Sequence, residues 1–165
     1  MISKKIASVI TSVMVFCCIV GVSLTNVKAD DSAPKSVDGS YLTSADSSTG
    51  YTPKNNERGK HLMDGQCSIS KTGTKRIYAY GSTTANHTVD AVAVIVYVDQ
   101  YNEKDDEWYQ IDAFSKKVEN DYYSATSKSI QVDRGYYYRV HAEHFVRMGE
   151  DPIEETYSYT NGILV

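Results

Sequence analysis

The chain has 165 residues, 41% hydrophobic and 23% charged, with a formal net charge of −4. That length suits one domain with a tail, and the acidic balance argues against nucleic-acid binding, which needs concentrated positive charge. Fourteen tyrosines stand against three phenylalanines; tyrosine favours strands and half-wet surfaces, so the composition points to an all-β extracellular module.

Lys4 and Lys5 precede a largely apolar, uncharged run from Ile6 to Leu24. Val27-Lys28-Ala29 then offers small residues at both positions a signal peptidase reads. This predicts a signal peptide over 1–29, cleaved after Ala29 to leave Asp30 as the new N-terminus. An uncleaved anchor is the alternative, since the run is long enough to span a bilayer, but Ser8, Thr11, Ser12 and Ser23 dilute it. Cys17 and Cys18 follow Phe16 and Cys17 rather than a small residue, which spoils the pattern needed for lipid attachment. The expectation is a secreted, extracellular protein with no membrane association after cleavage, compatible with retention at the cell surface. Cleavage leaves Cys67 as the single thiol, unable to close an intramolecular disulfide. Its alternation with Ile69 predicts a buried, apolar role rather than a reactive one.

Residues 30–57 are rich in Ser, Thr, Asp, Gly and Pro, and hold only Val37 and Leu42 as aliphatic residues larger than alanine. Such a segment buries too little surface to offset the entropy of ordering, so it reads as a flexible, disordered linker. From Arg58 the texture changes to short β-rich runs. Gln66–Ser70 alternates around Cys67 and Ile69, and Lys71-Thr72-Gly73-Thr74 reads as a hairpin turn. Arg76–Ser82 places Ile77, Ala79 and Gly81 on one face, Tyr78 and Tyr80 on the other. A loop over Thr83–Thr88 leads to Val89–Asp99, where Val92, Val94, Val96 and Val98 line one face, and Ala91, Ala93, Ile95 and Tyr97 the other. Four valines at period two argue against a helix. An acidic loop follows at Gln100–Glu107, then a strand over Trp108–Ser115 and a turn over Lys116–Asp121. A polar strand over Tyr122–Val132, a turn at Asp133-Arg134-Gly135, a strand over Tyr136–Val146 and a last one within Glu154–Val165 complete the pattern. About seven antiparallel strands at regular spacing predict a single β-sandwich over 58–165, with a small β-barrel as the alternative and Trp108 plugging the core between the sheets.

Arg58-Gly59, Leu62 with Gly65 and Ile69, and Gly81-Ser82-Thr83-Thr84-Ala85-Asn86 resemble a family of short secreted proteins from Gram-positive, mostly anaerobic bacteria. The run Gly135-Tyr136-Tyr137-Tyr138-Arg139-Val140 with His144, and the ending Thr160-Asn161-Gly162-Ile163, are similar to the same family. It is catalogued only as a domain of unknown function. The resemblance covers about residues 58–165 and implies export and a β-rich domain, with no catalytic residues. Cys67 departs from the pattern, where serine is expected.

His141-Ala142-Glu143-His144 has the look of a metal motif, yet on a strand the two histidines face opposite ways, and only Arg139, His141 and Glu143 share a face. The acidic loop Asp99, Asn102, Glu103, Asp105, Asp106, Glu107 has oxygen ligands for calcium without the EF-hand spacing or its central glycine. No nucleophile elbow, phosphate loop, zinc-protease motif or Cys-x-x-Cys pair is present. No catalytic, cofactor or metal residues are expected, and the chain reads as non-enzymatic. The tyrosines carry the positive signal: too numerous for one core, some must be exposed and suited to sugar stacking or protein contact. Tyr78, Tyr80, Tyr137 and Arg139 are the candidate ligand contacts, and Arg139 is placed to stack on a ring or pair with a carboxylate. The leading expectation is a binding or surface-interaction module for an extracellular glycan or protein. The alternatives are a secreted effector, bacteriocin-like or signalling, acting on another cell, and a small hydrolase.

Overall fold

Alternation along residues 76–102 organises the molecule. In the computed structural model, which describes residues 34–53 and 59–165, that whole stretch is one strand. Nine strands follow in chain order: β1 (Ser36–Val37), β2 (Ser40–Thr43), β3 (Ser47–Tyr51), β4 (Leu62–Gly73), β5 (Arg76–Asn102), β6 (Glu107–Gln131), β7 (Tyr137–Arg147), β8 (Glu154–Tyr159) and β9 (Gly162–Leu164). No helix occurs among the described residues. The strands form one mixed sheet in the order β1-β2-β9-β7-β5-β4-β3, with β6 paired to β5 and β8 to β7. β2 and β9 run parallel; the other pairs are antiparallel.

β5 carries β6 along one edge for nearly its whole length, while its other edge is divided: β4 pairs with Arg76–Ala85 and β7 with Ala91–Gln100. A register shift between Thr84 and Val89 marks the bend between these limbs. The sheet curls there into a half-barrel, so inward residues Ile77 and Ala79 of the first limb join Val94, Val96 and Val98 of the second in one core with Cys67, Ile69, Val140 and Ala142. Gly81 is what lets the limbs meet: a Cβ there would lie 2.5 Å from Val96 Cγ2. Each fully buried valine contributes about 1.5–3 kcal/mol by leaving water. β6 bends in parallel at Asn120, which takes a positive φ of 54° that asparagine tolerates better than most residues. Its two limbs are tied by Ser124 Oγ donating to the Lys116 carbonyl at 3.0 Å and by a Lys128–Asp112 ion pair of 2.7 Å.

The all-β expectation holds, and four finer expectations are corrected. Among the described residues the sheet is continuous and includes a parallel pair; six of its nine strands, β4–β9, fall within 58–165, where about seven antiparallel ones were expected. The loop expected over Thr83–Thr88 and the turn over Lys116–Asp121 both lie within strands, merging four expected strands into β5 and β6. The polar residues that read as a loop are satisfied internally: Thr83 is buried, and its hydroxyl donates to the Ala93 carbonyl at 2.8 Å. Residues 34–53, expected as part of a flexible linker over 30–57, form β1–β3. Backbone pairing of β3 with β4 and of β2 with β9, rather than apolar content, holds them. Trp108 lies outside the core clusters, half-buried, with Nε1 donating to the Val37 carbonyl at 3.0 Å. The signal peptide 1–29 and its cleavage site at Ala29 and Asp30 lie outside the described residues.

Candidate functional site

Three groupings of chemistry-bearing side chains emerge from this frame. The first is internal. His144 points inward from β7 and is fully buried. Thr83 spends its only proton on the Ala93 carbonyl, so His144 Nδ1–H donates to Thr83 Oγ1 at 2.9 Å, which leaves Nε2 to accept from Ser158 Oγ at 2.8 Å. Burial pushes the imidazole pKa down to about 4, against a small opposing pull from Asp64 and a backbone hydrogen bond at Ser82. A serine donating to a histidine is the start of a nucleophile–base pair. Here, however, a threonine occupies the orienting position, and Ser158 is only 1% exposed, so no substrate reaches it in this structure. Cys67 belongs to the same interior; burial raises its thiol pKa to about 11.

The second grouping centres on Arg139, whose register partner across β5 is Asp99. Its Nε donates to Asp99 Oδ2 at 2.9 Å, Nη2 to Asp38 Oδ2 at 2.9 Å, and Nη1 to the Asp38 carbonyl at 3.0 Å and Ser40 Oγ at 3.2 Å. The guanidinium also lies over the Trp108 ring at 4.6 Å. Asp99 Oδ2 takes a further contact from His141 Nδ1 at 2.9 Å. Burial pushes the Asp99 pKa up, but His141 and Arg139 outweigh it and the net shift is downward. His141 continues a ring row across three strands, stacked 4.6 Å from Tyr97 and 5.8 Å from Tyr159. Arg139 is 4% exposed, with Nε engaged by Asp99 and both terminal nitrogens by the β1–β2 hairpin, so it anchors chain rather than facing a ligand. Tyr137, half-buried, meets the buried Tyr101 edge-on at 6.5 Å.

The third grouping is the outer face of β3, β4, the first limb of β5 and the second limb of β6. Directly opposed residues share a face, and the registers give three rows of four. They are Ser47–Ser70–Tyr78–Ser129, Thr49–Ser68–Tyr80–Ser127 and Tyr51–Gln66–Ser82–Ala125. Tyr78 is 40% exposed and Tyr80 half-exposed, and the Tyr80 and Tyr123 hydroxyls sit 2.8 Å apart. Of the four candidate contacts read from the sequence, the structure therefore brings Tyr78 and Tyr80 together on one outer face. Tyr137 and Arg139 sit apart on β7, whose inward neighbours Tyr138 and Val140 share the core with Ile77 and Ala79. The hydroxyl rows were missed because their outer members, Ser47 and Thr49, lie in the segment expected as linker. Period-two alternation of Thr49 and Tyr51 around the inward Gly50 is the signal that was there to find.

Among the described residues no group of three or more His, Cys, Asp or Glu side chains is placed to hold a metal ion. In the acidic loop, Asp105 is held by Asn102 and Tyr109, and Asp106 by Tyr101 and Lys35. No protein-family model, curated protein or solved structure matches the chain.

Proposed function

We propose that this chain is an exported, non-enzymatic binding module whose recognition surface is the outer face of β3–β4–β5–β6. Export follows from the sequence features of residues 1–29 and from the resemblance to secreted Gram-positive proteins. The curled sheet is taken as a β-sandwich variant whose two layers share β5 and β6. The observation that carries the reading is the placement of Tyr78 and Tyr80 side by side on the solvent side of a four-stranded sheet whose other side is the core. Rings held by a rigid sheet bind with little ordering cost, the property that makes tyrosine frequent at recognition surfaces. The partner is an extracellular glycan or protein.

The test is a glycan and cell-wall binding array probed with the full exported chain and with its Tyr78→Ala, Tyr80→Ala double variant. Binding by the parent that is lost in the variant, with unchanged thermal unfolding, supports the face. Binding that survives the double substitution overturns it. Hydrolysis of an array component by the parent chain overturns the non-enzymatic reading.

A further inference from the structure

We propose that the ligand of the Tyr78–Tyr80 face is a neutral polysaccharide lying across the sheet as an extended chain, an inference that rests on the binding-module reading above. The twelve positions of the three rows, of which only Ser82 is buried, hold seven Ser or Thr, one Gln, one Ala and three Tyr, and not one charge, in a protein of which 23% is charged. Solvent-facing strand positions are where charged residues ordinarily sit, so their exclusion from a face this wide is a property of the surface. Charge enters only in the flanking rows, with Asp64 at one end and Arg76 at the other. An acidic polymer or a basic peptide needs countercharge to repay its desolvation, and this face supplies none.

What the face does supply matches a sugar. Each central ring is flanked in its row by hydroxyls: Tyr78 by Ser70 and Ser129, Tyr80 by Ser68 and Ser127. Hydroxyls both donate and accept, as a sugar's own do, so they pair in either sense. Among the described residues, Tyr78 and Tyr80 enter none of the ring–ring or cation–π contacts that occupy Tyr97, Tyr101 and Tyr159. Their faces are therefore not taken by other rings. Two residues apart on one strand, the rings repeat at about 6.7 Å, and the rows extend over four strands about 4.8 Å apart. That is a platform for successive sugar units rather than a socket for a single terminal one.

The experiment is co-sedimentation of the full exported chain with insoluble neutral glucan, xylan and chitin, with an acidic polygalacturonate, and with isolated bacterial cell wall, each at low and high salt. Salt screens charge–charge attraction and leaves stacking and hydroxyl pairing largely intact. The expected result is retention on at least one neutral polysaccharide at both salt levels. Tyr78→Ala with Tyr80→Ala should weaken it by about tenfold or more, the scale on which loss of aromatic anchors registers. Ser127→Asp places a charge beside Tyr80 at an exposed position that takes no part in the core, and should weaken binding similarly. It keeps the proposal falsifiable if the double variant fails to fold. Retention only on the acidic polymer or on wall protein, still dependent on Tyr78 and Tyr80, overturns the neutral polysaccharide and leaves the binding face standing. Neutral-polysaccharide binding unaffected by both variants, or no binding to any material, overturns the two together.

Discussion

Ser158 Oγ lies 2.8 Å from His144 Nε2, with both side chains shut inside the fold. The imidazole is held neutral there, its pKa pushed from an ordinary 6.5 down to about 4 by burial. In the unfolded chain it titrates normally, so between pH 6.5 and about 4 the unfolded state binds more protons than the native one. Stability is then fully present above pH 6.5 and falls as pH drops through that window, by about 3 kcal/mol in all for this group. Below about pH 4 both states are protonated and His144 adds no further loss. Asp99, with its net downward shift, extends the acid sensitivity below its ordinary 3.8. Urea midpoints measured across the window should fall with pH, and a His144→Gln variant should show a flatter dependence. A flat profile in the parent chain would count against a neutral, buried imidazole.

Cys67 is fully buried and its thiol pKa is raised to about 11. The thiolate is the reactive species, so at neutral pH the native protein presents almost none of it. Maleimide-type labelling should be slow in buffer and fast in denaturant, with no disulfide dimer on a non-reducing gel. Labelling at the same rate in both would mean that the interior opens readily.

Arg139 ties the β1–β2 hairpin to the sheet through Asp38 and Ser40, and neutralises buried Asp99. Arg139→Ala removes one partner of a buried pair and strands the other, a change that typically costs about 3–5 kcal/mol. Arg139→Lys keeps the charge but loses the planar fork and its stacking on Trp108, so it should recover only part of the loss. Hydrogen exchange at Ser40–Thr43 should accelerate in both variants, ahead of the rest of the molecule. Equal protection of that hairpin in parent and variants would refute the anchoring role.

Much of the inner face was legible from sequence. The alternation of Ile77, Ala79 and Gly81 against Tyr78 and Tyr80, the four valines of β5, and the inward Cys67 and Ile69 all follow from period two, and the structure places each as read. What escaped was polar sequence doing structural work. Thr83 reads as a loop residue because nothing local reveals its bond to Ala93 or the histidine 61 positions away that meets it. β1–β3 read as linker because their stabilisation lies in distant partners: Gly162 and Ile163 for β2, Gln66–Ser70 for β3, Arg139 for the hairpin turn. The practical consequence concerns boundaries. A fragment starting at residue 58 would lose β3 and expose the edge of β4, so the folded unit includes residues 34–53.

Placing a charge in the strand core probes the second limb of β5 against its surroundings. Val94 and Val96 are both fully buried, yet their cross-strand neighbours differ. Val96 stands between Phe114 on β6 and Ala142 on β7, so an aspartate there finds only apolar partners. Val94 stands between Lys116 and His144, which sequence position alone does not reveal. An aspartate at Val94 gains a cation on one side and an imidazole whose pKa it would raise on the other, and these offset part of the desolvation cost. Val96→Asp should therefore cost several kcal/mol, comparable with the whole stability of a domain this size, and Val94→Asp measurably less. Gln131→Asp is the contrasting change: exposed at the end of β6 and opposite Arg76, it should shift stability by about half a kcal/mol or less. Urea melts of the three variants give the ranking directly. Equal losses at 94 and 96 would show that Lys116 does not reach into the strand core, and a wild-type midpoint for Val96→Asp would contradict the burial of this strand.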